Sequence, residues 1–370
     1  MLRTTFALVA LCLGLSLVAA QQPAPAPAVT MGDIKKAWQE RQDKVKTLKM
    51  SWATELVRPK GSIIGVDRSN EFIHAPRDLT LKGETTLVVE GNKYALHDKR
   101  QAWSPVSAGI EDSEFRTVFD GHRRIDLTKP GSHFGTAHII EPAKAADNNF
   151  KTVSLYPVWW TFRGASDLET DQLLDRLELS DRITTLNGIR CRELTQLDRS
   201  SRSMTKIYVD EQRGFLPIRY DVVHDNMVVV LLTISHISDP ACGWRPSSWY
   251  SVLNTNKGKL RESLKCRVSS CNVNSTLSDA DLTANLESGT LVVDHTDSAT
   301  KMSVVRPDGT DGVQLPNSAN LTRDDLIRAN ESPPFYQSRI LLVSVMAACG
   351  AFLAGSMLWK MRQRRLKAAK

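Results

Sequence analysis

The sequence predicts a mainly β (α+β) fold: an antiparallel meander that opens on one helix and is followed by a single membrane-spanning helix. Three observations predict it. Apolar and polar residues alternate at period two through much of the body of the chain. Turn dipeptides separate pairs of such runs, at Gly91-Asn92, Asp120-Gly121, Asn187-Gly188 and Asp225-Asn226. A run of 20 uncharged residues, 340–359, stands near the end.

Residues 1–20 have a short basic start, an apolar run from Phe6 to Val18, and small residues at Ala19 and Ala20. This is the pattern of a secretory signal peptide. Residues 21–30 follow as a Pro/Ala linker. Thr30 with Asp33 three residues on has the form of a capping box. Ile34, Ala37, Trp38, Arg41 and Val45 then recur at helical spacing. Period two takes over in TLKMSWATELV, where Leu48, Met50, Trp52, Thr54 and Leu56 face one way and Thr47, Lys49, Ser51 and Glu55 the other. That is a half-buried strand.

Each turn dipeptide supplies the positive φ a tight hairpin needs, so four hairpins are expected. Met227 to Leu232 is apolar on both faces, which predicts a central strand covered on both sides. Ser166 with Glu169, and Leu168, Leu173, Leu174 and Leu177, predict a second helix over 166–179. SWYSVLN, KLRESLKCRV, GTLVVDH and KMSVVRP read as further strands. One domain spans 31–310. Residues 311–339 are polar, contain Pro333-Pro334 and read as a stalk, with a short helix at TRDDLIRAN.

The formal charge of +7 would point to an acidic partner, but its distribution does not. Arg3 and six cations in the last eleven residues account for all of it, leaving 21–359 formally neutral. A nucleic-acid role is therefore excluded, and the charge reads as topology. At about 1.5 Å per residue, 340–359 is long enough to cross a ~30 Å hydrocarbon core. The basic segment 360–370 marks the cytoplasmic side, which puts 21–339 outside it.

The sequence offers no catalytic constellation. GSHFG carries His133 where a nucleophile elbow needs serine, and there is no P-loop and no H-E-x-x-H. His133 and His138 are five apart, on opposite faces of one strand, and make a poor metal pair. No metal site, cofactor or enzymatic activity is expected. TVFDGHRRIDL gathers Asp120, His122, Arg123, Arg124 and Asp126, yet reads better as a hairpin with a solvated tip. Four cysteines lie outside the signal and membrane segments: Cys191, Cys242, Cys266 and Cys271. Cys266 and Cys271 are a possible disulfide only across a turn or bulge, since five residues apart on a straight strand they face opposite ways.

The N-terminal helix leading to VKTLKMSWATEL, the FDG turn, and TKIYVDEQRGFLPIRYDVV with its LP-x-R strand together resemble the bacterial periplasmic lipoprotein-carrier superfamily, the LolA/LolB-like outer-membrane lipoprotein-sorting fold. GWRPSSW and SGTLVVDH…VVRPDGT are similar to a closing segment of membrane-anchored or secreted proteins with this kind of domain. The resemblance covers about 31–310. It implies a strongly curved antiparallel sheet or half-barrel wrapped around helices, with a concavity for acyl chains. It also implies a periplasmic domain on a single-pass inner-membrane protein, with a lipid or lipoprotein as ligand. Burial of an alkyl chain gains about 0.8 kcal/mol per CH2, so no polar motif is required. Met50, Trp52, Leu87, Phe119, Trp159 and Trp160 are the candidate lining residues. If LYPVWWTFRG is a strand, one of its two tryptophans points away from the core. The alternative reading is an envelope sensor that regulates a membrane protein partner, as related domains do in stress signalling.

Overall fold

The computed structural model describes residues 29–66, 71–104, 107–131, 134–141, 155–162, 175–198, 200–296, 300–316 and 322–331. Strand β1 (Thr47–Arg58) lies near the middle of a 16-stranded sheet. On one side follow β4 (Leu79–Glu90), β5 (Lys93–Ser104), β6 (Gly109–Phe119), β7 (Arg124–Pro130) and β8 (Thr136–Ile140). On the other follow β15 (Leu260–Val273), β14 (Gly243–Asn254), β13 (Met227–Asp239), β12 (Leu216–His224), β11 (Ser203–Asp210), β10 (Ile189–Asp198) and β9 (Glu178–Leu186). Past β8 come β16 (Leu291–Asp294), β17 (Lys301–Val304) and β18 (Leu315–Pro316). A separate hairpin is formed by β2 (Ile63–Val66) and β3 (Phe72–His74).

All four expected hairpins form, as β4–β5, β6–β7, β9–β10 and β12–β13. Gly91, Gly121, Asn187, Gly188, Asp225 and Asn226 all carry positive φ. At the tip of β6–β7, Asp120 Oδ1 accepts the His122 and Arg123 backbone N–H groups at 2.8 and 2.7 Å. These bonds hold the Asp120 carboxyl below the usual carboxylate range, against the burial that raises it. The charged cluster of TVFDGHRRIDL is thus split. Asp120 shapes the turn, whereas Arg124 and Asp126 leave the solvated tip and form a buried pair at 2.9 Å.

The helices are few: α1 (Met31–Asp43), α2 (Tyr156–Phe162) and α3 (Arg323–Glu331). Thr30 caps α1 through the expected box, its N–H donating to Asp33 Oδ2 at 2.8 Å. Side chains from nine strands share one apolar cluster with α1 and α2. Nine strands laid flat would span roughly 40 Å at about 4.8 Å each, far wider than a helix of about 10–12 Å diameter. The sheet can share one core with two helices only by curling round them, which gives it a concave face.

Several expectations need correction. The fold with a closing membrane helix is not what the described residues show. They form one large, mostly β sheet with few helices, and none of those helices is long and apolar enough to cross a membrane. Residues 340–359, like the leader 1–20, lie outside the described residues. The sheet is also not purely antiparallel, because β16 runs parallel to β8. LYPVWWTFRG is not a strand: Tyr156–Phe162 is helical, and both tryptophans are buried. The expected helix over 166–179 lies largely outside the described residues, and Glu178 and Leu179 already belong to β9. Strand β13 is central, but Met227 and Val228 at its start are exposed, so its outer face is not covered throughout. Within 311–339, Leu315 and Pro316 pair with β17, and Leu326 of α3 is buried.

Candidate functional site

The concave face is best followed as rows of side chains across neighbouring strands. One row runs Met50, Leu87, Leu96, Thr117 and Asp126 over β1, β4, β5, β6 and β7. The next runs Trp52, Thr85, Asp98 and Phe115, and the third Thr54, Gly83, Arg100 and Ser113. Leu56 and Leu81 close the series.

The helices cover only part of these rows. Trp38 of α1 donates its indole N–H to the Phe215 carbonyl at 2.6 Å. Arg41 donates Nε to the Thr161 carbonyl at 3.1 Å and Nη1 to the Gly214 carbonyl at 3.0 Å. Burial pulls the Arg41 guanidinium down to about 10, so it stays charged and clamps α1, α2 and the turn before β12 together. Tyr156, Trp160 and Tyr220 cluster with centroids 4.8 to 5.5 Å apart, Tyr156 stacked on Trp160 and edge-on to Tyr220. With the rest of the apolar cluster this forms a plug over Met50 and Leu87 and over β10 to β14.

Beyond the plug the concave face holds a cavity of about 410 Å3. Trp52, Leu96 and Leu155 form its border with the plug, and Leu56, Leu81, Phe115 and Leu264 its apolar walls. Its volume follows from residue size. Thr54, Gly83 and Thr85 occupy inward positions where the plugged row carries Met50 and Leu87. One polar stripe crosses it: Thr85 Oγ1 donates to Asp98 Oδ1 at 3.1 Å, and Arg100 Nη1 lies 3.4 Å from Asp98 Oδ2. At 300–1,000 Å3, a mostly apolar cleft with a few placed polar groups has the dimensions of a small-molecule site.

The candidate residues from the sequence divide between the two halves. Trp52 lines the cavity and meets Trp249 behind it at 5.4 Å. Met50 and Leu87 are fully buried under the helices. Phe119 packs on Tyr94 at 5.4 Å, and Trp159 and Trp160 belong to the plug. Sequence reasoning missed Leu56, Leu81, Phe115, Asp98 and Arg100. Their signal was available in part, since Leu56 belongs to the same period-two series as Trp52.

Cysteine chemistry does not enter the site. Cys266 and Cys271 lie on one strand, β15, roughly 16 Å apart along it. Disulfides join Cα atoms only about 4.4–6.8 Å apart, so the possible bridge between them is not formed, and Cys191, Cys242, Cys266 and Cys271 are all free. Burial pushes the thiol of Cys266 strongly up, with Asp98 adding to it, and that of Cys271 up to about 11. Both are therefore protonated thiols rather than nucleophilic thiolates. Among the described residues no group of three or more His, Cys, Asp or Glu is placed to hold a metal ion.

The chain matches no protein-family model, and no curated protein matches its sequence. Its structure is similar to that of a DUF1329 family protein from Desulfovibrio piger, at 10% identity and a TM-score of 0.41, covering 69% of this chain and 98% of that one. It is also similar to a LolA superfamily protein from Nitrosomonas europaea, at 13% identity and a TM-score of 0.38, covering 70% of this chain and 99% of that one.

Proposed function

We propose that this protein is a binding module that holds the alkyl part of a lipid, lipoprotein or similar apolar ligand in the open half of its concave sheet. The observation that carries this reading is the cavity itself. A sheet that fills one half of its concave face with tryptophans leaves the other half at about 410 Å3 with apolar walls. Each CH2 buried there contributes about 0.8 kcal/mol, so a chain of a dozen carbons needs no polar anchor. Besides its apolar walls the lining supplies Thr54, Thr85, Lys82, Gln101 and the Asp98–Arg100 pair.

Native mass spectrometry of the full-length chain, with organic extraction of the same sample, tests the proposal. The expected result is a bound species of lipid mass that is displaced by Thr54→Trp, which would fill the middle of the cavity. A protein that stays ligand-free with added alkyl compounds, or that binds them equally after Thr54→Trp, contradicts it.

A further inference from the structure

Strand β16 is tied to the sheet by a short junction. It runs parallel to β8 over four residue pairs, from Leu291↔Thr136 to Asp294↔Ile139. Backbone bonds at its two ends run from the Leu291 N–H to the Gly135 carbonyl at 3.0 Å and from the His295 N–H to the Ile139 carbonyl at 2.9 Å. A small apolar cluster of Leu127, Ala137, Val292 and Val305 backs it. Everything that follows in the fold hangs on this junction: β17 and β18 extend the sheet from β16, and Asn330 of α3 donates to the Val304 carbonyl at 3.1 Å.

A pair of half-buried histidines spans the junction. His138 Nδ1 and His295 Nε2 lie 3.1 Å apart, the ring planes are within 5° of parallel, and the ring centroids are 5.4 Å apart. The difference between the two distances is the width of one imidazole ring, so both nitrogens lie on the line joining the centroids. The rings therefore meet edge to edge in a common plane, and the contact is a straight N–H···N hydrogen bond. Such a bond holds one proton between two nitrogens, with one ring donating and the other accepting. A metal ion does not fit between them, because zinc stands about 2.0–2.1 Å from an imidazole nitrogen and half of 3.1 Å is much less. Thr300 Oγ1, 3.3 Å from His295 Nδ1, can donate or accept and so admits either tautomer.

The surroundings tolerate one charge on this pair and oppose two. From β7, Asp126 lies opposite His138, but its carboxylate is already engaged by Thr117 and Arg124. On β16 and β17, Asp294 accepts the Thr296 hydroxyl at 2.6 Å and lies opposite Lys301. Burial lowers the His138 pKa and the neighbouring ring lowers it further, against Asp126. A first proton can settle on an outer nitrogen and leaves the N–H···N bond in place. A second would put N–H groups on both facing nitrogens, which a separation of 3.1 Å does not admit. The rings must then part.

We infer that the His138–His295 bond is an acid-released clasp: it fastens β16, and with it β17, β18 and α3, to β8 while the two rings carry at most one charge, and it lets go when both are charged. The clasp works whatever the cavity holds. The released junction binds one proton more than the fastened one, so acid favours release. An ordinary histidine titrates at about 6.5, and release sets in below that pH.

Hydrogen exchange of the full-length protein, corrected for the pH dependence of the exchange chemistry itself, tests the inference. Opening at the Leu291 and His295 amides is expected to rise about tenfold from pH 7 to pH 5, while the amides of Met50 and Leu87 keep their protection. In His138→Gln and in His295→Gln the rise is expected to disappear, since glutamine keeps a polar partner and takes no charge. A second readout needs no variant: in the natural protein the N–H···N bond gives a scalar coupling between nitrogen-15-labelled rings, expected at pH 7 and lost as the β16 amides open. Equal protection of β16 at both pH values, a rise that persists in either variant, or no coupling at pH 7 overturns the clasp.

Discussion

The two halves of the concave face are built on the same strands and reach opposite ends. Over the first row, Trp38, Trp159, Trp160 and Phe162 fill the space between sheet and helices, and nothing of Met50 or Leu87 remains accessible. Further along β1, the inward positions shrink to Thr85 opposite Trp52 and then to Thr54 and Gly83, and a cavity remains. Large inward residues make a core that holds the sheet's curvature, and small ones leave room for a ligand. Stability and binding should therefore separate along β1.

Trp38→Ala should sharpen that contrast most. It removes a fully buried indole and its hydrogen bond to Phe215, for an expected loss of about 3–5 kcal/mol in urea unfolding. Leu81→Ala, at the cavity wall, should cost about half as much or less, because the space it vacates is already partly empty. Comparable losses at the two positions would erase the distinction between plug and cavity.

A third region obeys neither rule. Thr117, Arg124 and Asp126 are buried on β6 and β7, with Thr117 Oγ1 donating to Asp126 Oδ1 at 2.8 Å and Arg124 Nε to Asp126 Oδ2 at 3.0 Å. Asp126→Ala would break the buried pair with Arg124 and the bond from Thr117, and should cost about 3 kcal/mol in the same assay. Replacing both partners by apolar residues should restore much of the loss.

The plug should also respond to acid. Burial, with Arg41 and Arg213 adding, pushes His236 down to about 3. In the unfolded chain a histidine titrates near 6.5, so the unfolded state binds more protons between the two values. This contribution to stability is whole above pH 6.5 and is lost as pH falls from there towards 3. His236→Gln should flatten the fall in urea midpoint between pH 7 and 4.5 relative to the natural protein. His138, lowered by burial and by His295, leaves a smaller slope of the same sign. The least effect is expected at the hairpin tip: Asp120→Ala, losing two backbone bonds at an exposed turn, should cost about 1 kcal/mol.

The sequence displayed the hairpins and the cap of α1 because these are local: Asn187-Gly188 needs no distant partner to turn the chain, and Thr30 reaches Asp33 within one turn. It concealed α2, since Tyr156–Phe162 is too short to show a helical period and its aromatic residues favour strands in isolation. The buried Arg124–Asp126 pair looked like a wet tip, although an i, i+2 spacing on a strand already puts both on one face. The cavity was hidden for a different reason. Thr54, Gly83, Thr85 and Arg100 come together only once the register of β1, β4 and β5 is fixed, and Trp52 was visible only as one apolar position among many.

Trp52 is also the means to decide the matter, because among the described tryptophans it alone lines the cavity. Fluorescence of the natural protein titrated with bromine-labelled dodecanoate should show saturable quenching, and Trp52→Phe should abolish most of it. Quenching that survives Trp52→Phe would place the alkyl chain elsewhere and contradict the open half of the sheet as the binding site.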